Sequence, residues 1–119
     1  VEAAVESASG GTLLKTAGRT PDLLALLGVL AEADLVVTND TGPMHLAATV
    51  GAPVLAIFGA TDPVVSSPLG QRERRLIYEP EPCSPCFLRT CPIPGHPCLT
   101  KIGPGRVYRA ARAMLGGAR

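Results

Sequence analysis

The sequence contains no tryptophan, and aromatic residues make up only 3% of its 119 positions. Proteins that stack nucleic-acid bases or clamp sugar rings depend on exposed aromatic side chains, so this shortage argues against both classes. An excess of charge of one sign is also lacking, because the net charge is +1 and no long run of like charges occurs. A nucleic-acid-binding surface therefore has no support in the composition.

Long apolar runs are missing as well. No stretch approaches the roughly 18 to 20 apolar residues needed to cross a bilayer, and the first residues do not resemble a signal peptide. At 46% hydrophobic, the chain still has enough apolar residues to build one core. These features predict a single soluble domain in the cytoplasm.

The most informative stretch runs from Asp34 to Ala48. Residues 35–37 are Leu-Val-Val, a run that suits one buried strand and is too short for a helix. Hydroxyls, an amide, a carboxylate and a Gly-Pro pair follow at 38–43, and helical composition resumes at Met44. The pattern predicts a strand, a tight polar turn and the start of a helix.

This predicted helix start suits an anion. The first backbone N–H groups of a helix lack partners within it, and the helix dipole places partial positive charge there. Gly42 would let a ligand approach the backbone, Pro43 suits the first helical position, and Thr41 or Asp40 can cap the helix. The alternative is a well-capped helix without a ligand; the crowding of polar residues up to His45 favours a site.

A second polar turn is expected beside the first. Val54 to Phe58 is a continuous apolar run, typical of a parallel strand covered on both faces, and it completes a right-handed βαβ unit. Turns at the carboxyl ends of parallel strands are where such sheets bind ligands. The candidate binding residues in the two turns are Asn39, Asp40, Thr41, Gly42, Pro43, His45, Gly59, Thr61 and Asp62.

Further elements follow from periodicity and capping. We expect a helix over Val1 to Gly10, whose abrupt beginning suggests a fragment of a longer protein, and a weak strand over Thr12 to Lys15. A second helix is expected to start at the N-cap Thr20, with Pro21 in its first position. Its expected apolar stripe is Leu23, Leu26, Leu27 and Leu30. The remaining expected elements are a strand over Leu76 to Tyr78 and a closing helix over 104–116, with a buried stripe of Val107, Ala110, Ala111, Met114 and Leu115.

A Cys/Pro-rich loop is predicted over 79–103. It holds all four cysteines of the chain, Cys83, Cys86, Cys91 and Cys98. Thiols stay reduced in the cytoplasm, so such clustering favours a structural zinc or iron site, with His96 as a further candidate ligand. The spacing of the second pair is unlike that of an ordinary zinc ribbon, and reduced free thiols, disulfides or redox chemistry remain as alternatives.

The two turns and the cysteine loop also resemble a known family. Asn39 to Ala48, with Phe58 to Pro63 after one short strand, is similar to the signature of glycosyltransferase family 9, the ADP-heptose:lipopolysaccharide heptosyltransferases, especially their heptosyltransferase II branch. The cysteine pattern strengthens this resemblance. The resemblance implies an α/β fold, in which a Rossmann-like parallel sheet is flanked by helices. In this family, the matching region is the later part of the C-terminal domain of a GT-B enzyme. Residues 1–119 would then form one partial nucleotide-sugar-binding domain.

The resemblance also implies a chemistry. Thr41 and Gly42 would bind the donor diphosphate, Asp40 would orient the turn or accept from a sugar hydroxyl, and His45 would donate to phosphate or be structural. No cofactor would be required for transfer. ADP-heptose is the expected donor and the lipopolysaccharide core the acceptor, reached through an N-terminal domain that also supplies the general base. The chain alone is therefore expected to be inactive, and its location is the cytoplasm, at most peripherally at the inner membrane.

Two other functions remain open at this point. A nucleotide-sugar epimerase or another GT-B transferase would use the same type of fold with a different substrate. A metal-stabilised α/β interaction module would use the cysteines and no nucleotide. Competition between ADP and UDP compounds distinguishes the epimerase or other transferase from a heptosyltransferase. The absence of nucleotide affinity would indicate the interaction module.

Overall fold

Three parallel strands form the centre of the molecule. The computed structural model describes residues 13–16, 18–70 and 72–117. Its strands are β1 (Val36–Asn39), β2 (Val54–Phe58) and β3 (Arg74–Tyr78), in the order β1-β2-β3. The described helices are α1 (Leu23–Ala31), α2 (Gly42–Thr49), α3 (Pro63–Ser66), α4 (Pro97–Thr100) and α5 (Pro104–Gly117).

Strand β2 lies in the middle of the sheet and is the most deeply buried of the three strands. Four of its five residues are buried, which agrees with the continuous apolar run that predicted a strand covered on both faces. Asn39 at the end of β1 pairs with Ile57, and Phe58 pairs with Tyr78 at the end of β3. All three strands therefore end at the same edge of the sheet.

The helices cover the sheet on both faces. On one face, side chains of α1 and α2 pack against alternate residues of β2; the buried members are Leu30, Met44, Ala47, Ala48, Ala52, Val54, Ala56 and Phe58. On the other face, a second cluster consists of Leu55, Ile77, Ile102 and Met114, joined by Val107, Ala110 and Ala111; Met114 and the last three belong to α5, and Ile102 lies two residues before it. The predicted α/β fold is confirmed, and so is most of the stripe predicted for the closing helix; Leu115 is exposed.

The start predicted for α1 was wrong. The N-cap is Asp22, whose carboxylate accepts a hydrogen bond of 2.8 Å from the backbone N–H of Ala25. Thr20 and Pro21 precede the helix, because the stronger acceptor two positions later takes the capping role. The apolar stripe is consequently shorter than expected, since Leu23 is 56% exposed while Leu30 is buried.

The predictions for the first fifteen residues can be compared with the structure only in part. The helix expected over Val1 to Gly10 lies outside the described residues, as does Thr12. Leu13 to Lys15 is irregular, so the weak strand expected there is wrong over the part that can be compared.

Segment 79–103, called the cysteine segment below, is attached to the domain at both ends. Glu79 forms an ion pair with Arg106 of α5, and Glu81 forms one with Lys101. Ile102, near the end of the segment, is part of the core. The structure has neither helix nor strand over 79–96, and the short helix α4 follows. No helix in the described ranges is long and apolar enough to cross a membrane.

Candidate functional site

A pocket lies where β1 and β2 end. Its volume is about 150 Å³ and its lining residues are Asn39, Asp40, Ile57, Gly59, Ala60, Thr61 and Leu99. The two turns lie side by side because of the parallel register: Asn39 pairs with Ile57, and the residues that follow this pair enter the two turns. The structure thus brings together four of the candidate residues predicted from the sequence: Asn39, Asp40, Gly59 and Thr61.

Asp40 is held by the sheet and lines the pocket. Its backbone N–H donates to the carbonyl of Ile57 at 3.2 Å, which extends the β1–β2 pairing by one residue. The residue is half-buried, so its carboxylate is not fully surrounded by water. A carboxylate in this position can accept hydrogen bonds from ligand hydroxyls.

The N-terminus of α2 follows directly. Within the described part of the chain, the backbone N–H groups of Thr41 and Gly42 donate no hydrogen bond, whereas that of Met44 donates to the carbonyl of Thr41 at 3.0 Å. Pro43 has no N–H to offer. Two adjacent donors are therefore available at the positive end of the helix dipole, which is the arrangement that binds phosphate groups.

The hydroxyl of Thr41 is engaged locally. Thr41 is the N-cap of α2, but it makes no side-chain capping bond. Its Oγ1 donates instead to the carbonyl of Asn39 at 3.3 Å and lies 3.4 Å from Oγ1 of Thr38. Capping of this helix by a side chain, which the sequence allowed, is therefore not what the structure shows.

The remaining predicted residues do not line the pocket. Pro43 and His45 are exposed on the first turns of α2. Asp62 caps α3, its Oδ1 accepting from the N–H of Val64 at 2.8 Å. Since one oxygen of this carboxylate is engaged in capping, a structural role accounts for its place in the turn.

The sequence did not predict three of the lining residues, which are Ile57, Ala60 and Leu99. The first two sit in or beside a predicted turn and have apolar side chains, which carry no chemical signal of their own. Leu99 comes from the cysteine segment, and nothing in the pattern around it indicates a contact with the first two strands.

The cysteine segment covers the second turn. The N–H of Phe87 donates to the carbonyl of Ala60 at 2.9 Å. All four cysteines are free thiols, and among the described residues no three Cys, His, Asp or Glu side chains are placed to hold a metal ion. The free-thiol alternative agrees with this arrangement, and the metal site stays a prediction.

Burial raises the pKa of the Cys98 thiol, and the nearby thiols of Cys91, Cys83 and Cys86 raise that pKa further. A raised pKa leaves less thiolate at any given pH, so we expect Cys98 to react more slowly with iodoacetamide at pH 8 in the folded protein than in the urea-unfolded chain. Mass spectrometry of the labelled peptide measures the rate. The midpoint of the rate against pH should lie higher in the folded protein; a lower plateau with an unchanged midpoint would show shielding alone and contradict the prediction.

Comparison with known proteins assigns the family. The model of glycosyltransferase family 9 (heptosyltransferase) matches residues 2–96, which is most of the chain. The chain belongs to this family. Its α/β sheet is accordingly part of a GT-B type fold, and the resemblance read from the two turns is confirmed.

Curated relatives of this family-9 chain carry heptosyltransferase names. It is 37% identical over 86 residues to lipooligosaccharide heptosyltransferase 2 of Campylobacter jejuni, covering 72% of this chain and 27% of the relative. It is 32% identical over 111 residues to lipopolysaccharide heptosyltransferase 1 of Pseudomonas aeruginosa, covering 78% of this chain and 30% of the relative. The chain thus spans less than a third of the length of these relatives. No solved structure gives a significant match.

Proposed function

We propose that this chain is the donor-binding part of a heptosyltransferase, and that it holds a nucleotide-diphospho-sugar at the carboxyl edge of its sheet. The observation that carries the proposal is the position of two unbonded N–H groups, on Thr41 and Gly42, next to a pocket lined by Asp40 and Asn39. The two backbone N–H groups suit an anion, and the side chains of Asp40 and Asn39 suit hydroxyl groups. A diphosphate attached to a sugar offers both.

The reaction explains why main-chain donors serve here. The nucleoside diphosphate is the leaving group, and negative charge accumulates on its oxygens as the bond to the sugar breaks. Fixed N–H dipoles at a helix N-terminus stabilise that charge and need no reorganisation during the reaction. Asp40 would not bind the phosphates, because like charges repel; it accepts from a sugar hydroxyl instead.

The size of the pocket supports a partial site. Pockets for drug-sized ligands measure about 300–1,000 Å³, whereas this one measures about 150 Å³. The pocket therefore accommodates a portion of the donor. We propose that the acceptor site and the general base lie in the additional length that the relatives possess, and that these 119 residues alone do not catalyse transfer.

The relatives' names suggest the substrates. We propose ADP-heptose as the donor and the lipopolysaccharide core as the acceptor, with the protein in the cytoplasm and at most peripherally at the inner membrane. No cofactor is proposed for the transfer, since the N-terminus of α2 supplies the stabilisation that a cation would otherwise provide.

Hydrogen exchange tests donor binding. ADP is expected to slow the exchange of the Thr41 and Gly42 amides, because they have no protein partner until phosphate oxygens accept from them. Exchange is measured for each amide by NMR, with and without ADP. The amides of α5 serve as the internal control and should not change, since α5 packs on the sheet away from the α2 N-terminus.

The same titration separates the alternatives. If UDP protects these amides better than ADP, the chain belongs to a transferase or epimerase that uses uridine donors. If neither nucleotide protects them, donor binding by this chain is rejected, and an interaction module without nucleotide affinity becomes the better interpretation.

A further inference from the structure

The cysteine segment places one apolar side chain in the pocket, that of Leu99. Its backbone is fixed on both sides: the N–H of Leu99 donates to the carbonyl of His96 at 2.9 Å, and its carbonyl accepts from the N–H of the core residue Ile102 at 3.1 Å. The ion pair between Lys101 and Glu81 holds the same part of the segment. Leu99 is therefore presented to the pocket by an anchored backbone.

Gly59 makes room for this side chain. A Cβ atom on Gly59 would lie 2.8 Å from Cδ2 and 3.0 Å from Cγ of Leu99, and 3.4 Å from Sγ of Cys98. Contacts this close would push the branched end of Leu99 out of its position. The present position of the Leu99 side chain in the pocket therefore requires that residue 59 has no side chain.

The pocket consequently has two kinds of wall. Asn39, Asp40 and Thr61 offer oxygen and nitrogen atoms, and Ile57 and Leu99 offer hydrocarbon surface. A sugar ring has the same division, with hydroxyls at its rim and C–H groups on its faces. Leu99 is 38% exposed, so part of its side chain is free to be covered by a ligand.

We infer that Leu99 is a specificity-determining residue, which contacts the sugar of the bound donor and limits the size of the group that the pocket admits. This inference rests on the proposed donor-binding function. It separates two contributions to affinity: the N–H groups of Thr41 and Gly42 bind the diphosphate, and Leu99 acts on the sugar alone. Removing Leu99 should then change the affinity for a nucleotide-sugar and not that for the nucleotide.

Calorimetric titration of Leu99→Ala with ADP and with ADP-heptose tests the inference. We expect the affinity for ADP-heptose to fall at least about fivefold, because hydrocarbon contacts in a pocket discriminate by factors of this order or more. The affinity for ADP should stay within about twofold. Leu99→Met, which keeps the hydrocarbon surface, should restore most of the ADP-heptose affinity.

Leu88→Ala is the matched control. Leu88 lies in the same segment, is exposed and does not line the pocket, so its truncation should affect neither ligand. Equal weakening of both ligands by Leu99→Ala would show a merely structural role, and no weakening of either would show that the sugar does not touch Leu99; both results overturn the inference while donor binding stands. Failure of the unsubstituted chain to bind ADP would overturn the proposed function and this inference together.

Discussion

Gly42→Pro is expected to weaken ADP binding about 10- to 100-fold, because a hydrogen bond to a charged group contributes about 1.5–3 kcal/mol. The substitution removes one N–H from the proposed phosphate site, and it also places a Cβ in front of Pro43, where helical backbone is less favourable. Gly42 is the first residue of α2, where the φ of proline fits. The preceding residue, Thr41, already has the extended backbone that proline requires before it, with φ −149° and ψ 169°.

Gly42→Ala keeps the N–H and is the matched control. Apart from its chain neighbours and the backbone of its own helix, a Cβ at this position would meet no protein atom within 4 Å. The steric cost of a Cβ in front of Pro43 is common to the alanine and proline variants, so it cancels when the two are compared. If the N–H binds phosphate, alanine should retain much more affinity than proline in a titration with ADP. Equal losses for the two variants would mean that the missing side chain of Gly42 matters and its N–H does not, and the phosphate site would have to be reassigned.

Phe58→Ala is expected to lower the free energy of unfolding by about 3–5 kcal/mol, a large part of the roughly 5–15 kcal/mol typical of a domain. Phe58 is fully buried at the end of the central strand β2 and packs in the cluster with α1 and α2. Truncation would leave a cavity that the surrounding sheet and helices can fill only in part. Urea unfolding followed by circular dichroism measures the change.

Val64→Ala provides the comparison for Phe58. Val64 is 88% exposed, and its truncation should change the free energy of unfolding by no more than about 0.5 kcal/mol. A loss for Phe58→Ala as small as that for Val64→Ala would contradict the burial described for β2. Because Phe58 immediately precedes Gly59, a destabilised variant should also lose order in the pocket, and its ADP affinity should fall with its stability.

The local patterns of the sequence predicted the elements that carry the site. The apolar run at 54–58 and the Gly-Pro pair at 42–43 each report on their own backbone, since strand burial and helix starts depend on neighbouring residues. The two turns could be placed at one edge because parallel strands joined by a helix end on the same side. The error at the start of α1 has the same local origin: Pro21 made Thr20 the expected N-cap, but the carboxylate of Asp22 is the stronger acceptor and caps the helix.

The contributions of individual side chains to the pocket were harder to predict. Asp62 and Asp40 occupy similar places after neighbouring strands, yet one caps a helix and the other faces the pocket. That division depends on the path of the backbone after each strand. From the sequence alone, both aspartates were equally plausible ligand-binding residues.

The sequence by itself determined the family, the parallel α/β core and the polar turn that begins α2, because each is written in neighbouring residues whose periodicity and turn chemistry act locally. Only the tertiary structure decided that Leu99 meets Gly59 and that the N–H groups of Thr41 and Gly42 donate no hydrogen bond. The approach of Leu99 to Gly59 joins segments far apart in the chain, and both features follow from the tertiary arrangement. They depend on how closely packed side chains fit in space, which no local pattern encodes.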